Sequence, residues 1–292
     1  FFVPCAHRGL TAPFLQRQVD QTSCQTRDFA VKSILTRLAA LLALSVLAAC
    51  GAQPQAEGPP ESVPGYEGVQ DGAFFIAPVE ARFLGEGIPR AEVAYAGEEA
   101  EGTIVIDTFA RRLYFVTAPG QAWRYKVGIG REGTALRAGG SIGRKAEWPS
   151  WTPTANMLRR YPELYGPYAG GRPGGLESPL GARALYLYRG SRDTYFRIHG
   201  TIDDASIGRA SSAGCVRLFN QDAVHLFDQV ERGARVKVRS LEESLALEGP
   251  YMNDVNGNAV PDTPENRAAL EAALAARAAR EAANPDVIPT GT

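Results

Sequence analysis

Two side chains in this sequence have the chemistry of a nucleophile and its base. His199 lies in the run Phe196-Arg197-Ile198-His199-Gly200-Thr201, and sixteen residues later Cys215 closes Ser211-Ser212-Ala213-Gly214-Cys215. A histidine at a strand end is held by backbone pairing and aims its ring at the adjoining loop. A cysteine among small residues can be approached closely by a carbonyl. The attacking species is the thiolate, favoured by a nearby imidazole and by the cations Arg209 and Arg217. The backbone N–H groups of Cys215 and a neighbour such as Gly214 are expected to point at the oxyanion that forms when a carbonyl is attacked. The chemistry is acyl transfer through a thioester. A cysteine and a histidine alone are weak grounds, since a solitary cysteine is equally a small buried hydrophobe.

The string around the pair is more specific. Ser212-Ala213-Gly214-Cys215-Val216-Arg217 after a His-Gly-Thr strand end closely resembles the L,D-transpeptidase (YkuD-type) catalytic domain over roughly Gly102 to Arg239. Trp148-Pro149-Ser150-Trp151-Thr152-Pro153-Thr154 and Ser178-Pro179-Leu180-Gly181 resemble the subgroup of periplasmic wall enzymes. Ala213 departs from members that carry a second histidine there, which leaves His199 as the sole general base. The resemblance implies a mainly β, sandwich-like domain with short helices, and no metal or organic cofactor. It implies a donor that is a peptidoglycan tetrapeptide stem, attacked by Cys215 with loss of D-alanine. The acceptor would be a second stem, a lipoprotein lysine, a free D-amino acid or water, and carbapenems would acylate the thiol. Gly200, Ser212 and Gly214 join Arg217 as groups expected to meet the oxyanion or substrate. Arg217 either clamps a stem carboxylate or ties its loop to the strand beneath.

The elements that must position these groups read as β structure. Thr103–Asp107, Arg112–Val116 and Trp123–Val127 are short runs of β-branched and aromatic residues separated by turn signals, a meander. Further strands are expected at 184–188, 195–198 and 235–239, with an irregular loop from 139 to 181 holding one helical turn near 155–160. Its Trp148, Trp151, Tyr161, Tyr165 and Tyr168 either wall a peptide groove or anchor the loop. A short helix with an Asn220 cap follows the cysteine, Val224, Leu226, Phe227 and Val230 forming its apolar stripe and His225 facing solvent. A longer helix is expected over 263–283. Asp254, Asn256, Asn258, Asp262 and Glu265 match the spacing of a calcium loop, while Asp262 and Glu265 read equally as a helix capping box.

The amino-terminal part reads as leader and tether. Lys32 and Arg37 precede an apolar run from Leu38 to Ala49, ending in Leu47-Ala48-Ala49-Cys50. That is an export signal, too short to span a bilayer. Its last four residues resemble a lipobox, implying a lipid anchor at Cys50 and a periplasmic location, or else an ordinary cleaved signal. Gly51 beside the anchor favours the outer membrane. The first 30 residues contain no methionine and are expected to lie upstream of a start near Val31. Residues 51 to about 72 suit a flexible tether, and 73–100 carry no clear pattern. With 31 basic and 32 acidic residues the chain has no broad positive field, which argues against nucleic acid as a partner.

Overall fold

The computed structural model describes residues 63–130, 139–210 and 215–283. The meander is present as β4 (Ile104–Asp107), β5 (Arg112–Ala118) and β6 (Gln121–Lys126), with β3 (Ala91–Ala94) paired outside β6. The later strands β9 (Arg183–Arg189), β10 (Arg192–His199) and β12 (Arg235–Val238) also lie where β-branched and aromatic residues place them. All four residues of β4 are buried. Ile104 and Ile106 enter the main core, while Val105 packs on the other face with Tyr95, Tyr114 and Val116.

One strand departs from the expected irregular loop: β8 (Gly140–Glu147) lies between β12 and β9. Ile142 is its single large apolar residue and the chain enters it through Gly139 and Gly140, so neither propensity nor alternation marks it. Its glycines serve close approach. A Cβ on Gly140 would lie 2.2 Å from the Tyr188 carbonyl oxygen of the neighbouring strand. The helical turn expected in this stretch is α1 (Ala155–Arg160), capped by the Thr154 hydroxyl, and α2 (Pro162–Tyr165) follows it directly.

The ten strands of the main sheet run β3-β6-β5-β4-β12-β8-β9-β10-β11-β7, with β7 (Gly128–Ile129) and β11 (Val216–Arg217) at the far end. Only Val127 separates β6 from β7. One peptide step covers about 3.8 Å, so the sheet must curl until its far end returns beside its second strand. The space so enclosed is filled by Ile104, Leu113, Tyr125, Ile142, Leu187, Ile198 and Val216. The mainly β expectation holds.

Helix α3 (Asn220–Gln229) follows β11 and buries Ala223, Leu226 and Phe227, with Val230 just beyond. Val224 is less buried than Ala223, because the core-facing stripe runs one position earlier than the larger side chain suggests. Lys145 of β8 donates to the carbonyls of Phe227 and Val230 at 2.6 Å each, satisfying the helix end. His225 is half-buried rather than fully solvent-facing. It packs edge-on to Trp123 and meets the Tyr125 hydroxyl through Nδ1 at 2.8 Å.

The amino-terminal tether stops earlier than its composition suggests, because Tyr66 is already buried against Phe219. Its hydroxyl donates to Asp222 Oδ1 at 2.7 Å, and Arg90 pairs with the same oxygen at 3.0 Å. The hairpin of β1 (Val69–Asp71) and β2 (Phe74–Ile76) is thereby strapped across α3. At the other end, a capping box of Ser240 and Glu243 starts α4 (Leu241–Glu248). The hairpin of β13 (Tyr251–Asn253) and β14 (Ala259–Pro261) leads into α5 (Pro264–Ala283), the tail helix expected.

The calcium-like spacing falls across that hairpin and the start of α5. Asp254 Oδ1 accepts the N–H groups of Asn256 and Asn258, making 254–258 a turn closed by its own backbone. Asp262 pairs with Arg267, and the cap of α5 is the Thr263 hydroxyl, which accepts the N–H of Asn266. Among the described residues no group of three or more metal-ligating side chains occurs, and no helix is long and apolar enough to cross a membrane.

Candidate active site

The pairing of β10 with β11 arranges the chemistry. The strands run parallel with Ile198 opposite Val216 and His199 opposite Arg217. Side chains alternate along a strand, so Ile198 and Val216 enter the core while His199 and Arg217 emerge on the opposite face. Cys215, two residues before Arg217, emerges with them. The connection is firm: Leu218 N–H donates to the His199 carbonyl at 2.8 Å, and Gly130 N–H to the Cys215 carbonyl at 3.0 Å. His199, Cys215 and Arg217 line one cavity of about 960 Å3.

The imidazole has a defined tautomer. His199 Nδ1 lies 2.6 Å from the Gly200 carbonyl oxygen, which can only accept, so Nδ1 carries the hydrogen and Nε2 keeps its lone pair. Burial pushes the imidazole down to about 4, and the charges of Arg217 and Arg197 act in the same direction against the Gly200 bond. At neutral pH the ring is therefore uncharged and able to take a proton.

Gly200 enters the site through that contact. Its N–H already donates to the Arg183 carbonyl at 3.0 Å and its carbonyl holds the imidazole, so it is not available as an oxyanion donor. Asn220, expected as a helix cap, does a different job, since Phe219 occupies the cap position. Its Oδ1 accepts from Ala182 N–H at 2.9 Å and its amide donates to the Thr201 carbonyl at 2.8 Å. The approach is so close that a Cβ on Gly200 or Gly181 would fall 2.1 or 2.2 Å from that oxygen. An asparagine five residues past the cysteine is the only sequence signal for this staple.

Arg217 is partly buried, and burial lowers its pKa while the carboxylate of Asp203 in the same cavity and Cys215 oppose the shift. Arg209 takes no part in the lining. It donates to the Asn258 side chain of the β13–β14 hairpin at 3.3 Å. Ser212 and Gly214 lie outside the described residues.

The aromatic residues divide between the two roles open to them. Trp151, Tyr165 and Tyr168 wall the cavity, Trp151 lying 6.2 Å from each of the two tyrosine rings. Trp148 anchors its loop instead, donating to Asp71 at 2.8 Å and packing on Phe74. Tyr161 packs edge-on to Tyr165 behind the wall. Nothing in the sequence singles out Tyr195, which lines the cavity with φ at +62° and 70% of its surface exposed.

A curled, mainly β sheet that presents a neutral histidine and a cysteine to one cavity is the framework of a thiol acyltransferase. The family model of the L,D-transpeptidase catalytic domain (YkuD) matches residues 101–238, which include both His199 and Cys215. A Fuscovulum blasticum protein named as an L,D-transpeptidase is 41% identical over 140 residues, covering 46% of this chain and 68% of that protein. The Escherichia coli protein named Probable L,D-transpeptidase ErfK/SrfK is 35% identical over 138 residues, 46% of this chain and 43% of its own length. A Brucella melitensis crystal structure, described as a probable carnitine operon oxidoreductase, is 40% identical over 51% of this chain and 91% of that one. Its TM-score is 0.38, and neither that partial superposition nor its description bears on this protein. This chain belongs to the L,D-transpeptidase family.

Proposed function

We propose that the chain cleaves and transfers peptidoglycan stems through a Cys215 thioester. His199 Nε2 takes the thiol proton, and the thiolate attacks the carbonyl of the third residue of a tetrapeptide stem. The tetrahedral oxyanion is met by the Cys215 N–H, with Gly214 and Ser212 as further donors from the motif. Collapse breaks the bond to D-alanine, whose nitrogen takes the proton from the imidazolium. An acceptor amine then attacks the thioester, gives its proton to Nε2, and the thiol is restored. Arg217 fits a clamp on a stem carboxylate at the cavity wall. The observation that carries this reading is the Nδ1 contact of His199 with Gly200, since it fixes the tautomer in which Nε2 is the base.

The acceptor is a second stem, a lipoprotein lysine or a D-amino acid, with water as the alternative on the same scaffold. Cys50 as a lipid anchor would hold the enzyme on the periplasmic face of the outer membrane. Incubation with disaccharide-tetrapeptide, followed by mass spectrometry, tests the chemistry. D-alanine release with a crosslinked dimer is expected from the wild type and no release from Cys215→Ala. Tripeptide alone would mark a hydrolase, and wild-type protein that releases no D-alanine would end the enzymatic reading.

A further inference from the structure

The chain between the base and the nucleophile is fastened from beyond the residues that the family model matches. From His199 it runs past Thr201, Ile202 and Asp203 on the cavity wall, then lies along β7 with Ala210 opposite Ile129. Ile129 N–H donates to the Arg209 carbonyl at 2.9 Å, and Gly208 N–H donates to the Val127 carbonyl at 3.2 Å. Bonds alternate along a strand, so the next residue, Gly130, donates on the opposite side, to the Cys215 carbonyl at 3.0 Å. Residues 208–210 and the thiol thus back onto the same strand, one on each edge. The fit is close: a Cβ on Gly128 would lie 2.5 Å from the Ser206 carbonyl oxygen.

The fastening comes from the β13–β14 hairpin, which follows the matched residues 101–238. Ala259 N–H and Arg111 Nη1 both donate to the Gly208 carbonyl, at 2.9 and 2.7 Å, and Arg209 Nε donates to the Asn258 side chain at 3.3 Å. Arg111 reaches on to the hairpin itself, donating to the Gly257 carbonyl at 2.6 Å and to Asn253 Oδ1. Its position is unfavourable in two respects. Its φ is +51°, in the left-handed region, and its guanidinium is buried with neutral oxygens as acceptors. The nearby Asp254 carboxylate is occupied by Asn256 and Asn258. Gly208 is left-handed as well, at φ +84°. Strain and a desolvated cation gathered on the stretch that joins base to nucleophile point to function, not packing alone. We propose that Arg111 is a positioning residue for acyl transfer, a clamp through which the carboxy-terminal hairpin sets the path of residues 208–210 and so the approach of Cys215 to the donor carbonyl. This rests on the thioester reading above.

The test uses three variants of the full chain. Arg111→Gly suits the positive φ while removing the guanidinium, Arg111→Lys keeps the cation, and Asn253→Ala deletes an acceptor on the hairpin side only. In D-alanine release from disaccharide-tetrapeptide, kcat should fall about tenfold in Arg111→Gly and about threefold in Asn253→Ala, with KM within about twofold of wild type. Arg111→Lys should lie between Arg111→Gly and wild type. Hydrogen exchange in Arg111→Gly should quicken about tenfold at the amides of Ile129, Gly208 and Ala259 while β9 and β10 keep wild-type rates, a pattern that general destabilisation would not give. Wild-type kcat in Arg111→Gly, a loss confined to KM, or quickened exchange throughout the sheet would each overturn the clamp. Should Arg111→Gly fail to fold, Asn253→Ala decides by the same measures. Wild-type protein that releases no D-alanine fails the thioester reading beneath the clamp, whereas release with unchanged kcat in the variants fails the clamp alone.

Discussion

At the residue scale, the decisive group is an imidazole that burial keeps neutral. With Cys215→Ala removing any coupling to the thiol, NMR titration of His199 should give a pKa near 4, against about 6.5 for an ordinary histidine. Because the folded pKa is the lower one, the unfolded chain binds more protons between about pH 4 and 6.5, so stability falls as pH drops through that window. A value at or above 6.5 would contradict the buried, Gly200-bonded ring. Asn220 gives a second prediction. Asn220→Ala strips the partners from Ala182 N–H and the Thr201 carbonyl, and should lower the unfolding free energy by about 1–3 kcal/mol in urea titrations. It should also lower D-alanine release, since the same contact positions the Gly200 peptide. A variant with both properties unchanged would remove Asn220 from the site. That His199 and Cys215 belong together was legible in the sequence because the string from Ser212 to Arg217 after a His-Gly-Thr strand end is specific, and both side chains line one cavity. The staple was not: an asparagine just before a helical pattern reads as a cap, and only the approach of Gly181 and Gly200 in space redirects it.

At the element scale, the two ends of the carboxy-terminal region have opposite attachments. The β13–β14 hairpin supplies the Gly257 carbonyl to Arg111 and the Ala259 carbonyl to Lys126, both of which are buried cations. Helix α5 has no buried residue. Truncation after Asp262 should therefore shift the melting temperature by less than about 2 °C, whereas truncation after Gly249 leaves two buried cations short of acceptors and should lower it severely. Similar melting temperatures for the two truncations would refute the distinction. Burial, with Arg112, Arg111 and Arg124 nearby, pushes Lys126 down to about 8. Between pH 8 and 10.5 the unfolded chain then holds more protons on this lysine than the folded one, so its contribution to stability improves as pH rises. Urea unfolding across that range should show wild type gaining on Lys126→Met; a constant difference would argue against the depressed lysine. Strands rich in β-branched and aromatic residues were readable in advance, and so was α5 from its Ala, Leu, Glu and Arg content. Strand β8 escaped because its place is set by backbone approach at Gly139 and Gly140 rather than by side chains. The acidic spacing near 254–265 left two readings open, since ligand spacing alone cannot tell a cation's loop from an Asx turn closed on its own backbone.

At the scale of the whole molecule, the proposed lipid anchor at Cys50 is tested on the full chain. If Cys50 is the anchor, cells expressing the wild type should hold the protein in the membrane fraction and Cys50→Ser should move it to the soluble periplasmic extract. Unchanged membrane retention would dismiss the lipid. The curled sheet has a different kind of consequence. Its pairings join residues far apart in the chain: β4 waits for its parallel neighbour β12 at Val236–Val238, and β7 cannot find an edge until β11 exists. Non-local closure of this kind is slow, on the order of milliseconds to seconds. Because a chain is synthesised from its amino end, β4 to β7 are finished long before the strands that complete them. Cys215 meets His199 through the pairing of β10 with β11, sixteen residues apart in sequence, whereas the strand on the other side of β11 is β7, made far earlier and brought round through Val127. The protein thus carries its own delay: the short β10–β11 pairing is available early, but the sheet that supports it is complete only once β12 has been made.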